Sequence, residues 1–341
     1  MNKTKSLKGG TLGDVRLVSG MAKTAGGRKL PYRFVLKTQK KWERPGDPDS
    51  WRREYDLYTS KFGAVFTEAF RWPKCYHAEI DGDRMHLWME YIEGASGGKL
   101  TIEMLERAAL EWGRFQGRLC NQPEALKGIT CLSDAGFPER EFNQWHTQSF
   151  TYDFLISKKC SLPGFLKQML RDGKIQLVDG KSFEYGLLRS EACDLPEHLR
   201  QMLIGIDDNQ EAIFGQIKRL PVVLCHRDFW TENIFFVNGS IVSIDWDGAG
   251  WGCLGEDIAS LVADADDCRH FEAYCRRLIP AYYQGISEHL DISAIGNFCV
   301  KEMILIKFGY RLLQKYMFTQ SPGKRNQAMC MLQKIYEMEN D

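Results

Sequence analysis

The chain is expected to be an α+β protein: a small antiparallel sheet carrying one helix, followed by a larger, mainly helical portion. Three observations lead there. Residues 1–93 alternate short β-branched and aromatic runs with Gly-rich turns, residues beyond 100 space their apolar side chains at helical intervals, and one strand-like stretch near residue 230 interrupts those helices. At 341 residues, 44% of them apolar and 12% aromatic, the chain can bury a large core and is long enough for two lobes. The composition change places the boundary between residues 1–93 and 94–341.

Taken in order, VRLVSG, YRFVLKTQ and MHLWMEYI read as strands, separated by TAGGRK and by EIDGDR, whose Asp-Gly step is a hairpin signal. From Ser50 to Phe62 the apolar residues Trp51, Tyr55, Tyr58 and Phe62 fall at helical spacing behind Ser50, a suitable N-cap. After the turn-forming EGASGGK, Thr101 opens a strong amphipathic helix with Glu103 in its first turn. Ile102, Leu105, Ala109, Trp112, Phe115 and Leu119 share its apolar face. Residues 130–190 give no clear periodicity. Helical patterns return at Glu197–Ile204, Asn209–Arg219 and Ala294–Met317.

Composition excludes several classes. No apolar run approaches the roughly 18 residues that cross a bilayer, and the polar start MNKTKSLKGG does not resemble a secretion signal. Eleven cysteines, none in a C-x-x-C pair, argue against a disulfide framework or a zinc ribbon, and reduced cytoplasm is the expected location. Net charge is zero but uneven: residues 1–93 carry 18 Lys and Arg against 12 Asp and Glu, leaving the remainder acidic by the same margin. A basic first part suits a polyanion such as a nucleotide, and an acidic second part suits a cationic small molecule. No basic run dense enough for nucleic acid is present.

Residues 224–236, LCHRDFWTENIFF, set His226, Arg227, Asp228 and Asn233 between two apolar strands. A turn needs one such polar residue. Burying the others unpaired would cost about 1–3 kcal/mol each, so the stretch reads as a site. A strand, an Asn-Gly turn at 238–239 and a second strand then lead to Ile244-Asp245-Trp246-Asp247. This hairpin brings Asn233 and Asp245 to neighbouring strand ends, and an amide oxygen with a carboxylate suits Mg²⁺ completed by phosphate oxygens. Asp228 is then placed to orient an alcohol or take its proton.

The passage from HRDFWTEN through IDWDGAGWGCLGEDIA resembles the aminoglycoside phosphotransferase and choline kinase-like family, small-molecule relatives of the protein kinases. The resemblance implies a two-lobed protein-kinase-like fold, with nucleotide bound by the first lobe up to its hinge and catalysis and acceptor binding in the second. Gly252-Cys253-Leu254 stands where the family often has Gly-Asp-Pro, a departure that touches no metal or proton-transfer position. The absence of D-F-G and A-P-E sequences sets the chain apart from protein kinases themselves.

The resemblance assigns Asp228 as the catalytic residue and Asn233 and Asp245 as metal ligands. Lys37, at the end of YRFVLKTQ, becomes the phosphate-binding ammonium, held by Glu54 in preference to Glu43. LKGGTLGDVRL becomes the phosphate-covering loop through Gly9, Gly10, Thr11 and Gly13, and LWMEYIEG the hinge, where the backbone of Glu90 and Ile92 meets adenine with Met89 behind. His226, Asp247 and Asp257 are expected to brace the site. The implied cofactors are ATP and Mg²⁺. The acceptor is expected to be a small hydroxyl-bearing molecule, aminoglycoside-like or another amine-bearing alcohol. DADDCRHFEAY offers Asp264, Asp266, Asp267 and Glu272 to its charge, and Trp230, Trp246, Trp251 and Tyr274 offer aromatic faces. The alternative is a non-catalytic kinase-like protein that only binds nucleotide; such proteins have usually lost the Lys, the loop Asp or the metal Asp.

Overall fold

A computed structural model describes residues 3–7, 13–44, 46–144, 151–160, 162–265, 267–296 and 298–338. Two compact units partition the chain. The first gathers residues 1–134, 223–251 and 280–290, and the second residues 135–222, 252–279 and 291–341.

In the first unit the strands are β1 (Lys3–Ser6), β2 (Gly13–Lys23), β3 (Lys29–Lys40), β4 (Phe70–Arg71), β5 (Cys75–Asp81) and β6 (Arg84–Glu90). All but β4 form an antiparallel sheet in the order β1-β2-β3-β6-β5. Register puts Val35 opposite Met89 and Lys37 opposite Leu87, so these side chains share one face. Met85, Leu87 and Met89 are buried there against Trp51, with Tyr55 and Tyr58 packed alongside.

The helix expected from Ser50 to Phe62 is shorter. A 3₁₀ turn at Ser50–Arg52 leads into α1 (Arg53–Tyr58). Ser50 is fully buried and its side chain does not cap the helix, because the Arg52 and Arg53 amides already bond the carbonyls of Asp49 and Ser50. The Thr59 and Ser60 hydroxyls donate to the carbonyls of Tyr55 and Leu57, at 2.8 and 2.7 Å, and Ser60 Oγ then accepts from the Phe62 amide. Such side-chain competition ends a helix.

Thr101 does cap the next helix, α2 (Ile102–Asn121), accepting from the Met104 amide. Leu105, Ala109, Trp112, Phe115 and Leu119 are all buried, while Ile102 is partly exposed. Residues 280–287 of the helix Cys268–Ser287 approach α2 backbone to backbone: a Cβ on Gly113 would stand 2.2 Å from the Tyr282 carbonyl oxygen. One on Gly285 would stand 2.2 Å from that of Leu110. Gln116, enclosed between them, accepts from the Tyr282 hydroxyl and donates to the Leu224 carbonyl.

A second sheet completes this unit. After β7 (Ala95–Ser96) and β8 (Val222–Cys225), β9 (Ile234–Val237) and β10 (Ser240–Ser243) form the antiparallel hairpin read from the sequence. Its Asn238-Gly239 turn has φ of 48° and 87°, as a type I′ turn requires. The sheet order is β4-β10-β9-β7, with β4 parallel to β10. Phe66, Phe70, Trp72, Trp112, Phe115, Phe229 and Trp246 pack in one aromatic cluster within this unit.

In the second unit, short helices occupy much of the stretch without clear periodicity: Phe137–Phe142, Tyr152–Ile156, Gly164–Arg171 and Phe183–Leu188. Buried Asp207, from the helix Glu197–Asp208, accepts from the Ser182 hydroxyl at 2.7 Å and from the Tyr310 hydroxyl. The helix expected over Ala294–Met317 begins only at Val300, after Cys299 at φ 52°, and passes through a π turn at Leu305–Gly309. Cys268 and Cys330 form a disulfide with Cα atoms 6.0 Å apart, a cross-link that counting cysteines did not anticipate. Nine cysteines remain free thiols. No helix among the described residues is long and apolar enough to cross a membrane.

Candidate active site

The site is built on the hairpin and the loop before it. β8 runs into His226, which is wholly buried; its Nε2 lies 3.0 Å from the Ile244 carbonyl oxygen, and its Nδ1 accepts from the Asp228 amide at 3.3 Å. Arg227 turns the chain with φ 67°, its guanidinium donating to the Ser133 hydroxyl and to the carbonyls of Asp134 and Trp251. Asp228 follows, half-buried. The amide nitrogen of Asn233 donates to both the Asp228 carbonyl, at 2.9 Å, and Asp228 Oδ2, at 3.0 Å. That orientation leaves the Asn233 side-chain oxygen directed away from Asp228, as a metal ligand needs.

Across the hairpin, the Ile244 amide bonds the Asn233 carbonyl, so Asp245 begins where Asn233 ends. Asp245 is held in the left-handed region, φ 65° and ψ 63°, a conformation that persists in a non-glycine residue only when its surroundings impose it. Asp228 and Asp245 are each followed in sequence by a wholly buried ring, Phe229 and Trp246. Phe229 stacks on Trp112 at 4.7 Å between centroids and Trp246 sits 4.5 Å from the His226 ring. The core thus anchors both carboxylates by their neighbours.

Lys37 meets this segment from β3. Its Nζ donates to Asp245 Oδ1 at 2.5 Å and to Glu54 Oε2, while Glu54 Oε1 accepts from the Trp246 amide at 3.1 Å. Burial works against the Lys37 ammonium, yet the fields of Asp245 and Glu54 outweigh it and raise its pKa. Burial also opposes ionisation of Asp245, and Lys37 more than compensates, holding that carboxyl below its usual range. Asp247 behaves oppositely: burial and the charge of Asp245 push its pKa up. Two carboxylates two residues apart therefore share one turn, with Lys37 compensating Asp245 more fully than Asp247. Hard oxygen donors of this kind are the type a divalent cation takes.

Sequence reasoning missed three residues here. Arg53, adjacent to Glu54 and only 2% exposed, donates to both Asp47 oxygens, at 2.8 and 2.5 Å, and to the carbonyls of Asp247 and Cys131, both at 2.6 Å. Arg44 lies over the Trp42 ring and reaches Asp247 Oδ2 at 3.4 Å. Arg53, Arg44 and Asp47 sit among ordinary charges, and nothing in the sequence marked them.

Other candidates are placed as follows. Gly9, Gly10 and Thr11 lie outside the described residues, as does Asp266. Gly13 opens β2, and a Cβ there would stand 2.8 Å from the Thr38 carbonyl oxygen. Met89 and Ile92 are buried. The Glu90 amide bonds the Lys74 carbonyl, and its carboxylate is held by Arg71 at 2.8 and 3.0 Å. Trp230 is half-buried, whereas Trp246 packs in the core and presents no open face. In the second unit, Asp257 is wholly buried in the helix Glu256–Ala263. Asp267 accepts from the amides of Arg269 and His270 at 2.8 and 2.9 Å, and Glu272 pairs with Lys334 at 3.8 Å. Asp264 is half-buried nearby in sequence.

Asp228 and Asn233 thus lie together on the loop before the hairpin, and the buried pair of Lys37 from β3 and Glu54 from α1 meets the turn after it at Asp245 and Trp246. Residues 61–289 match the family model described as "phosphotransferase enzyme family", and the chain belongs to that family. No curated protein matches it in sequence. Among solved structures, it resembles an aminoglycoside phosphotransferase from Alicyclobacillus acidocaldarius at 13% identity, covering 98% of this chain and 89% of that one, with a TM-score of 0.51. It also resembles a Plasmodium vivax ethanolamine kinase (15%, 98% and 82%, TM-score 0.48) and a Cryptosporidium parvum choline kinase (14%, 98% and 88%, TM-score 0.47). The fold is the α+β fold shared with the Alicyclobacillus structure, and the protein is a member of the phosphotransferase family.

Proposed function

We propose that the chain transfers the γ-phosphate of ATP to a hydroxyl of an amine-bearing small molecule, with Mg²⁺ as the metal and the cytoplasm as its location. The observation that carries the reading is Lys37 bridging Glu54 and Asp245, on the hairpin where Asn233 is bonded to Asp228. In this reading Asp228 orients the acceptor hydroxyl and takes its proton, Lys37 grips the nucleotide phosphates, and the side-chain oxygens of Asn233 and Asp245 hold the cation. When bound, that cation would neutralise phosphate charge. Little covalent chemistry is asked of the protein, so rate comes from positioning and electrostatics.

Because the Glu90 amide is engaged, adenine would meet the Glu90 carbonyl and the Ile92 main chain, backed by buried Met89. Gly9, Gly10, Thr11 and Gly13 would cover the phosphates. His226 and Asp247 would brace the loop and turn, and Asp257 the fold around them. For the acceptor we infer an amine, aminoglycoside-like or simpler, on the acidic balance of the chain beyond residue 93. Asp264, Asp267, Glu272 and Trp230 are the candidate acceptor contacts, Asp267 also accepting from the amides of Arg269 and His270 and Glu272 pairing with Lys334. The cytoplasmic reading rests on the nine free cysteines, and the Cys268–Cys330 disulfide weighs against it.

The test is a panel of amine-bearing alcohols and sugars scored for stimulated ADP release with and without Mg²⁺, with the new phosphate then located on the product. Nucleotide binding with no turnover on any acceptor would favour the non-catalytic alternative, which the presence of Lys37, Asp228 and Asp245 argues against.

A further inference from the structure

α1 presents two neighbouring side chains, Arg53 and Glu54, to three successive residues of the metal-binding turn. Glu54 reaches Asp245 through Lys37 and takes the Trp246 amide at 3.1 Å; Arg53 takes the Asp247 carbonyl at 2.6 Å. The same guanidinium is fixed by both oxygens of Asp47 and by the Cys131 carbonyl. With 2% of Arg53 exposed and Asp47 at 7%, none of these bonds is traded freely for water. A planar fork with five donors is what such an arrangement demands, and a lysine cannot reproduce it.

The turn needs this hold. Asp245 sits in a left-handed conformation, so the turn it opens is strained and must be held from outside. Arg53 satisfies the carbonyl at the far end of that backbone while its charge is paired with the Asp47 carboxylate.

We propose that Arg53, locked by Asp47, is a positioning residue for the metal site: it fixes the 245–247 turn relative to α1, so that the Asp245 oxygen meets the cation only when α1 is seated. The proposal rests on the phosphotransferase reading. It goes beyond the Lys-Glu pair by adding a second tie from the same helix to the same turn, one made through the Asp247 carbonyl.

The test compares wild type with Arg53→Lys and Asp47→Asn, both milder than alanine. Binding of a fluorescent ATP analogue is titrated in EDTA and across a Mg²⁺ or Mn²⁺ series, with thermal melting recorded alongside. Expected in both variants is a rise of about ten- to a hundredfold in the metal concentration for half-maximal binding, the range typical when a partner of a metal ligand is altered. Metal-free nucleotide affinity is expected to change far less. The proposal is overturned if metal-free and metal-dependent binding weaken in proportion, or if melting falls while the metal requirement stays at the wild-type value; either leaves the kinase reading standing. A wild type whose nucleotide binding ignores metal overturns both.

Discussion

Lys37 and Asp245 are 208 positions apart in sequence, and Lys37 Nζ lies 2.5 Å from Asp245 Oδ1. The contact joins β3 to the turn after β10 within a buried group of charges, so each partner depends on the other for compensation.

Lys37→Met leaves Glu54 and Asp245 facing each other without a cation. Removing one partner of a buried pair costs about 3–5 kcal/mol, which urea unfolding at pH 7 will read as a lower midpoint. Adding Glu54→Gln to Lys37→Met should recover part of that loss. If Lys37→Met were as stable as wild type, the triad would carry no structural weight.

Asp228→Asn preserves size and keeps an acceptor near the Asn233 amide, but removes the charge that, in the proposed mechanism, orients the hydroxyl. Turnover should fall about 10²- to 10⁴-fold, while calorimetric binding of Mg²⁺-nucleotide stays near the wild-type affinity. Unaltered turnover would remove Asp228 from the role assigned to it.

Glu184, 3% exposed, accepts from the Gln314 amide through Oε1 at 2.7 Å, while Oε2 has no partner among the described residues. Burial raises its pKa. Between the ordinary Glu value of about 4.3 and the raised folded value, the native state binds more protons than the unfolded one. Stability therefore falls with rising pH across that window, the cost being complete above it. Glu184→Gln should flatten that slope and gain about 1–3 kcal/mol at pH 8, with no gain below pH 4. Melting curves at both pH values check it, and equal midpoints at pH 8 would sink it.

Much of this was legible in the residues. β3, β6, the Asn-Gly hairpin and α2 have unbroken patterns, and the motif from His226 to Asp245 is local enough to be read in one pass. What escaped was set by distant contacts. Arg53 looks like any helix charge until Asp47, Cys131 and Asp247 close around it, and Ser50 looks like a cap until a 3₁₀ turn satisfies the amides it would serve. The helices between residues 135 and 190 are too short for a period to emerge, and Gly and Pro break the stretch further. Cys268 and Cys330 lie 62 residues apart, with no spacing signature to pair them.

Gly113→Ala tests the helix contact. Its methyl would meet the Tyr282 carbonyl at 2.2 Å, against backbone that has no rotamer to adopt. A loss of about 1–3 kcal/mol is expected, seen in chemical unfolding. A neutral substitution would mean that the two helices can separate at little cost.

Residues 280–290 belong to the first unit, although residues 135–222 and 252–279 of the second precede them. During synthesis at about 5–20 residues per second, the Gly113 surface of α2 leaves the ribosome on the order of ten seconds before the segment that will cover it. Over that interval the nascent chain carries an open seam along α2, closed only when residues 280–287 arrive.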